Sequence, residues 1–193
     1  MSYQTSVQAF RRGALLLLPL LMALHSAHGE PPAGKELISA LRSGGYVILM
    51  RHASSPRNLP GAAQADVDNV NHERQLDEEG RASAIAMGEA LRRAHIPIGD
   101  VWSSPTYRAL QTIKLARFGS PTSYEELKVS VLPRPHENTL IVTHFPNIAE
   151  AYPQGSVGLA DGEAIILHPD GHGGAAIVTR VEITEWATLT TAP

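Results

Sequence analysis

The run Tyr46-Val-Ile-Leu-Met50 is short, continuously apolar and partly β-branched. Gly44-Gly45 precedes it and the turn-rich Ala53-Ser-Ser-Pro-Arg-Asn58 follows it. A segment with no polar face to give to water reads as an interior strand of a parallel sheet, buried on both sides. Its carboxyl end delivers Arg51 and His52. Open α/β sheets bind ligands in the crevice at the carboxyl ends of their strands. A guanidinium beside an imidazole at such a place can hold a phosphate and attack it.

The rest of the chain alternates helix and strand patterns around that run. Leu37 and Leu41, one turn apart, predict a short helix over 35–42. Leu76-Asp-Glu-Glu-Gly80 opens a longer helix that runs through Arg93, with acidic residues at its positive dipole end. Ala84, Ile85, Gly88 and Leu91 are expected on its inner face, and Ala86 and Gly88 are expected to allow close approach to the sheet. Val101-Trp-Ser-Ser104 reads as a second strand. Pro105 suits the first turn of the next helix, with Ser104 as its cap and Leu110, Ile113 and Leu115 inward. Thr139–Thr143 is the third strand and 146–151 a short helix. Glu163–Leu167 and Ala175–Ile183, joined by the turn sequence His168-Pro-Asp-Gly171, form an antiparallel hairpin. The expected fold is a three-layer α/β/α sandwich with a mostly parallel central sheet and a C-terminal antiparallel hairpin.

The N-terminus stands apart from this pattern. Arg11-Arg12 form a basic n-region, residues 13–24 an apolar h-region, and Ala27-His-Gly29 a small-residue cleavage site. The apolar run is short for a membrane span, so residues 1–29 are expected to be a cleaved secretory signal peptide, leaving 30–193 as one domain. The alternative is an uncleaved N-terminal anchor. Cleavage shifts the formal charge from −3 to −5, and a mildly acidic chain has no electrostatic footprint for nucleic acid or anionic membrane. The absence of cysteine excludes thiol catalysis and cysteine metal sites, and frees an exported chain from disulfide formation. The expected location is periplasmic or secreted, with no stable membrane anchor after cleavage.

Three strand ends therefore carry chemistry. The first gives Arg51 and His52, the second Ser103-Ser104 and then Arg108 one turn into a helix, and the third His144. Neighbouring parallel strands would gather two arginines and two histidines in one crevice, matching the charge of a phosphoryl group. Residues 46–53, 76–91, 101–112 and 140–147, with Gly162-Glu-Ala-Ile-Ile-Leu167 and the hairpin after it, resemble the histidine phosphatase (phosphoglycerate mutase-like) superfamily in its small single-domain form. The match follows the family's order over most of the domain.

That resemblance implies a covalent two-step hydrolysis of a phosphomonoester. His52 is the nucleophile that becomes phosphohistidine, and Arg51, Arg108 and His144 clamp the phosphoryl oxygens. Arg57 and Asn58 complete the substrate pocket. No metal or other cofactor is implied, because the guanidinium groups neutralise the developing charge. A leaving alcohol needs a proton, usually from a carboxyl group with a raised pKa. Glu125 is favoured because it follows Arg108 as the family acid often does; Glu126, Asp66, Asp68 and Glu73 are the alternatives.

Two positions depart from the family pattern. Ala53 follows the Arg-His pair where glycine is common. The interval from Arg108 to His144 is shorter than in relatives, which place more helix there. A trimmed interval could open the pocket or remove the acid, so a catalytically degenerate phosphate-binding protein of the same fold is the alternative function.

The chain lacks the length for the substrate-enclosing insertions of mutases. An exported location disfavours a phosphohistidine protein as substrate, and points to a small phosphorylated substrate such as a sugar phosphate, or to a phosphorylated envelope glycan. His168 and His172 have a spacing that on a helix could bind zinc, but Pro169-Asp-Gly171 makes a turn the better reading. Asp77, Glu78 and Glu79 are a helix start, and Trp102 and Trp186 packing residues.

Overall fold

The computed structural model describes residues 34–57, 73–124 and 132–190. Residues 1–29, read from the sequence as a signal peptide, and Asn58, Asp66, Asp68, Glu125 and Glu126 lie outside the described residues. The elements in chain order are α1 (Lys35–Ser43), β1 (Val47–Arg51), α2 (Glu78–Arg93), β2 (Ile98–Ser103), α3 (Tyr107–Ala116), β3 (Thr122–Ser123), β4 (Asn138–Thr143), α4 (Phe145–Ala151), β5 (Ala164–Pro169), β6 (Ala175–Val181) and α5 (Glu185–Leu189).

The six strands form one sheet in the order β3-β2-β4-β1-β5-β6. β3, β2, β4 and β1 run parallel, whereas β5 lies antiparallel to β1 and β6 antiparallel to β5. The strand that carries Arg51 is therefore central, with Val47 opposite both Thr139 of β4 and Leu167 of β5. Period-two alternation divides its side chains between two cores. Ile48 and Met50 join Leu140, Val142 and Ile166 against α1, α2, α3 and α5, and Val47 and Leu49 join Ile141, Ile165 and Leu167 against Ile148 of α4 and Leu159. Burial on both faces is what the apolar run demanded. The three layers are unequal: among the described residues, four helices cover one face and α4 alone covers the other.

Several local expectations are corrected. Ile85 is 40 % exposed, and the inner face of α2 is Ala84, Met87, Gly88, Ala90 and Leu91. Ala86 is exposed. Gly88 faces α3 instead of the sheet: a Cβ there would stand 2.2 Å from the Ala116 carbonyl oxygen. Pro105 precedes α3, and Thr106, not Ser104, is its N-cap residue. The buried face of α3 is Arg108, Ala109, Thr112, Ile113 and Ala116, so Leu110 and Leu115 are only half-buried. β2 starts at Ile98, and β3 and α5 were not foreseen; α5 buries Trp186 completely. Asp77 does start α2, accepting a hydrogen bond from the Gly80 N–H at 2.7 Å and another from the Ser54 hydroxyl at 2.7 Å. The second bond ties the loop after β1 to the helix. The hairpin turn is closed by Asp170, whose carboxylate accepts the His172 and Gly174 N–H groups.

Candidate active site

The order β2-β4-β1 puts the three chemistry-bearing strand ends side by side. His52 follows β1 and is 1 % exposed. Its N–H donates to the Thr143 carbonyl at 2.8 Å, and its carbonyl accepts the Gly162 N–H at 2.8 Å. Backbone on both sides therefore fixes the residue. The ring Nδ1 lies 2.8 Å from the Ala53 carbonyl oxygen, so Nδ1 carries the proton. The Nε2 lone pair then faces Arg74, whose Nη2 stands 3.4 Å away and can only donate. Both contacts specify one tautomer, with Nε2 free to act as a nucleophile.

The electrostatics reinforce this state. Burial, followed by the charges of Arg108, Arg74 and Arg51, lowers the His52 pKa to about 3, against the opposing pull of the Ala53 carbonyl. His144, the N-cap residue of α4, is shifted down by burial and by Arg108 and Arg74. Both imidazoles are thus neutral at neutral pH. Arg108, 8 % exposed, has its pKa lowered to about 10 by burial and by Arg74, and remains a cation. The first turn of α3 holds it in place. Thr112 Oγ1 donates to the Arg108 carbonyl at 2.8 Å and accepts the Ala53 N–H at 3.2 Å, which couples the helix to the loop after His52.

Arg51 is oriented by the turn before β5. Its Nη1 donates to the Leu159 carbonyl at 2.7 Å, its Nη2 pairs with Asp161, and its guanidinium carbon lies 5.7 Å from the centre of the Phe145 ring. That turn is itself stapled from β6. Arg180 Nε and Nη2 reach the two carboxylate oxygens of Glu163 at 2.5 and 2.6 Å, and Nη1 donates to the Val157 carbonyl at 2.7 Å. Glu163 Oε2 also accepts the Ala160 N–H at 2.8 Å.

The structure brings Arg51, His52, Arg108 and His144 together, as the strand ends predict. Arg57 is exposed and is not joined to this group by any hydrogen bond or ion pair among the described residues. Glu73 is 2 % exposed and accepts the Tyr107 N–H at 2.7 Å, at the start of α3, where its charge also acts on Arg108. Two members escaped the sequence reading, Arg74 and Asp161. Arg74 sits between Glu73 and the helix start at Asp77, and Asp161 stands two residues before Glu163; neither position has a periodic signal.

Buried nitrogen atoms without a partner among the described residues include the Nε atoms of Arg51, Arg74 and Arg108 and Nδ1 of His144. Unpaired buried donors cost free energy unless something occupies them. Three guanidiniums and a neutral imidazole around the neutral His52 form a receptor for a tetrahedral oxyanion. Among the described residues no cluster of histidine or acidic side chains could hold a metal ion, and no helix is long and apolar enough to cross a membrane.

Residues 47–128 match the model of the histidine phosphatase superfamily (branch 1). No curated protein matches the sequence. Among solved structures, the protein histidine phosphatase SixA in complex with tungstate aligns with a TM-score of 0.53 at 17 % identity, over 72 % of this chain and 98 % of that one. A SixA structure from Nakamurella multipartitia gives 0.51 at 22 % identity, over 73 % and 98 %. At such identities the structures speak for the fold, and the family model for the motifs within residues 47–128, which include Arg51, His52 and Arg108 but not His144. Over residues 47–128 the chain is similar to the histidine phosphatase superfamily, and its fold is similar to that of SixA.

Proposed function

We propose that the chain is an exported phosphatase that hydrolyses a phosphomonoester through a phosphohistidine on His52, without a metal. The observation that carries this reading is the neutral, correctly oriented Nε2 of His52 inside a ring of three guanidiniums. In the first step the Nε2 lone pair forms a bond to phosphorus while the ester P–O bond breaks, and the leaving oxygen takes a proton. In the second step water attacks phosphorus, the P–N bond breaks, and inorganic phosphate leaves with His52 restored. Arg74, Arg108, Arg51 and His144 hold the equatorial oxygens in both steps. Glu125 is the proposed proton donor of the first. The tungstate bound by SixA, a tetrahedral oxyanion on the same fold, supports the oxyanion reading.

The test is hydrolysis of p-nitrophenyl phosphate with chelator present, wild type beside His52→Ala. Turnover that survives the chelator and vanishes in the variant is expected; equal turnover in the variant would sink the phosphohistidine route. Export is checked separately by the mass of the exported protein, expected to lack residues 1–29. One observation favours a second reading, a phosphate-binding protein without turnover: both terminal nitrogens of Arg51 are already engaged by Leu159 and Asp161. Vanadate binding by a folded protein that hydrolyses nothing would select it.

A further inference from the structure

Phe145 is out of place for a core residue. It is the first residue of α4, directly after His144, and 38 % of it is exposed beside a site that is otherwise charged and polar. One side of its ring environment is already taken by the Arg51 guanidinium. His52 lies at the floor, 1 % exposed, and displacement at phosphorus is in line. The leaving oxygen must therefore point away from Nε2, out toward the rim where Phe145 stands. The same rim carries Asp161, 22 % exposed and paired with Arg51. Its carboxylate uses up the charge that a second anionic group on the substrate would seek, and repels such a group.

We propose that Phe145 is a platform for the alcohol half of the substrate, and that this half is aromatic or apolar and carries no second anion. The proposal rests on the phosphomonoester reading and narrows its substrate class. It favours a phosphorylated aryl or arylalkyl alcohol over a polyhydroxylated sugar phosphate or a phosphorylated carboxylic acid.

The experiment measures binding, so that it survives a failure of catalysis. Benzylphosphonate and methylphosphonate present the same charged head and resist hydrolysis. Calorimetric titration of the wild-type chain should show benzylphosphonate binding roughly two- to tenfold more tightly, the worth of an aromatic pair. Phe145→Ala should abolish that ratio and Phe145→Trp restore it. Loss of the Arg51 contact in the alanine variant affects both ligands and cancels in the ratio. Equal affinities in the wild type, a ratio unchanged by Phe145→Ala, or no binding of either phosphonate would each overturn the proposal. A protein that binds both ligands with the expected ratio but turns over no monoester refutes hydrolysis and upholds Phe145. Where turnover is present, benzyl phosphate against glycerol 1-phosphate, both esters of primary alcohols, should show the same ratio in kcat/KM.

Discussion

Arg180 lies on the edge strand β6, beyond β5 from the strand that ends at Arg51, yet it braces the turn that orients Arg51. Arg180→Met removes three hydrogen bonds at once: two to Glu163 and one to the Val157 carbonyl. Glu163 keeps its charge, and its side chain is only 9 % exposed. Truncating one partner of a fully buried pair costs about 3–5 kcal/mol, and a pair in open water is worth about 0–1. Arg180 is 31 % exposed, so the expected loss lies between these limits, about 2 kcal/mol. For a domain of this size that lowers Tm by about 4–8 °C.

The loss should depend on pH. Burial pushes the Glu163 pKa up, but the Arg180 hydrogen bonds and the Ala160 N–H outweigh it and leave the pKa lowered. A carboxyl group held below its unfolded value stabilises the fold above that value and ceases to do so as pH falls through the folded one. The wild type therefore loses this contribution on acidification, and the gap between wild type and Arg180→Met should close below the usual carboxylate range. Function should move too, because the stapled turn supplies both the Leu159 carbonyl and the Asp161 carboxylate that orient Arg51. Vanadate affinity should fall about tenfold. Glu163→Gln in the Arg180→Met background removes the stranded charge and should recover about half the stability. Thermal melts at pH 7 and pH 3.5 with vanadate titration check all of this. Wild-type Tm and vanadate affinity in Arg180→Met would refute the staple.

Arg74→Met, which removes the guanidinium facing His52 Nε2, should cost about a hundredfold in kcat/KM, in the range of losing one oxyanion donor, and leave the urea midpoint near that of the wild type. The low pKa of His52 has a defined sign for folding. Between about pH 6.5 and 3 the unfolded imidazole takes a proton that the folded one refuses, so stability falls as pH drops through that window; His52→Leu should flatten the slope in urea titrations. The same shift keeps His52 unprotonated at pH 5, so single-turnover phosphorylation at pH 5 should show no loss traceable to His52. Gly88→Ala pushes a methyl group into the Ala116 carbonyl and should destabilise by about 1–3 kcal/mol in urea titration.

The sheet's interior strands were readable as apolar runs, and Arg51, His52 and His144 because each sits where such a run stops; Arg108 was readable from the Ser-Pro turn that leads from β2 into α3. Asp161 was invisible for a topological reason. β5 runs antiparallel to β1, so it begins where β1 ends, and the turn before it enters the site; nothing local to Asp161 announces which strand β5 will pair with. Arg74 joins the cluster only because Asp77 docks α2 on Ser54 and brings the preceding residues over His52. β3 is two residues long and α5 five, too short for either to carry a period. The misjudged face of α2 has a plainer cause. Helix α3 and α5 share its contact surface with the sheet, so the buried arc is turned away from Ile85 toward Met87.

The placement of β1 also sets when the site can exist. Its partners are β4 and β5, so the strand that leads to His52 has no neighbour from the first half of the chain. Pairing Val47 with Thr139 and Leu167 closes very long loops, and such non-local pairing forms slowly. During synthesis the strand has no partner until β4 emerges and gains the second only with β5. A chain ending at Gly162 would hold every arginine and histidine of the cluster, yet lack the Glu163 carbonyl that receives the Arg51 N–H. Such late closure suits a protein that must be threaded across a membrane before it folds, as the proposed export requires.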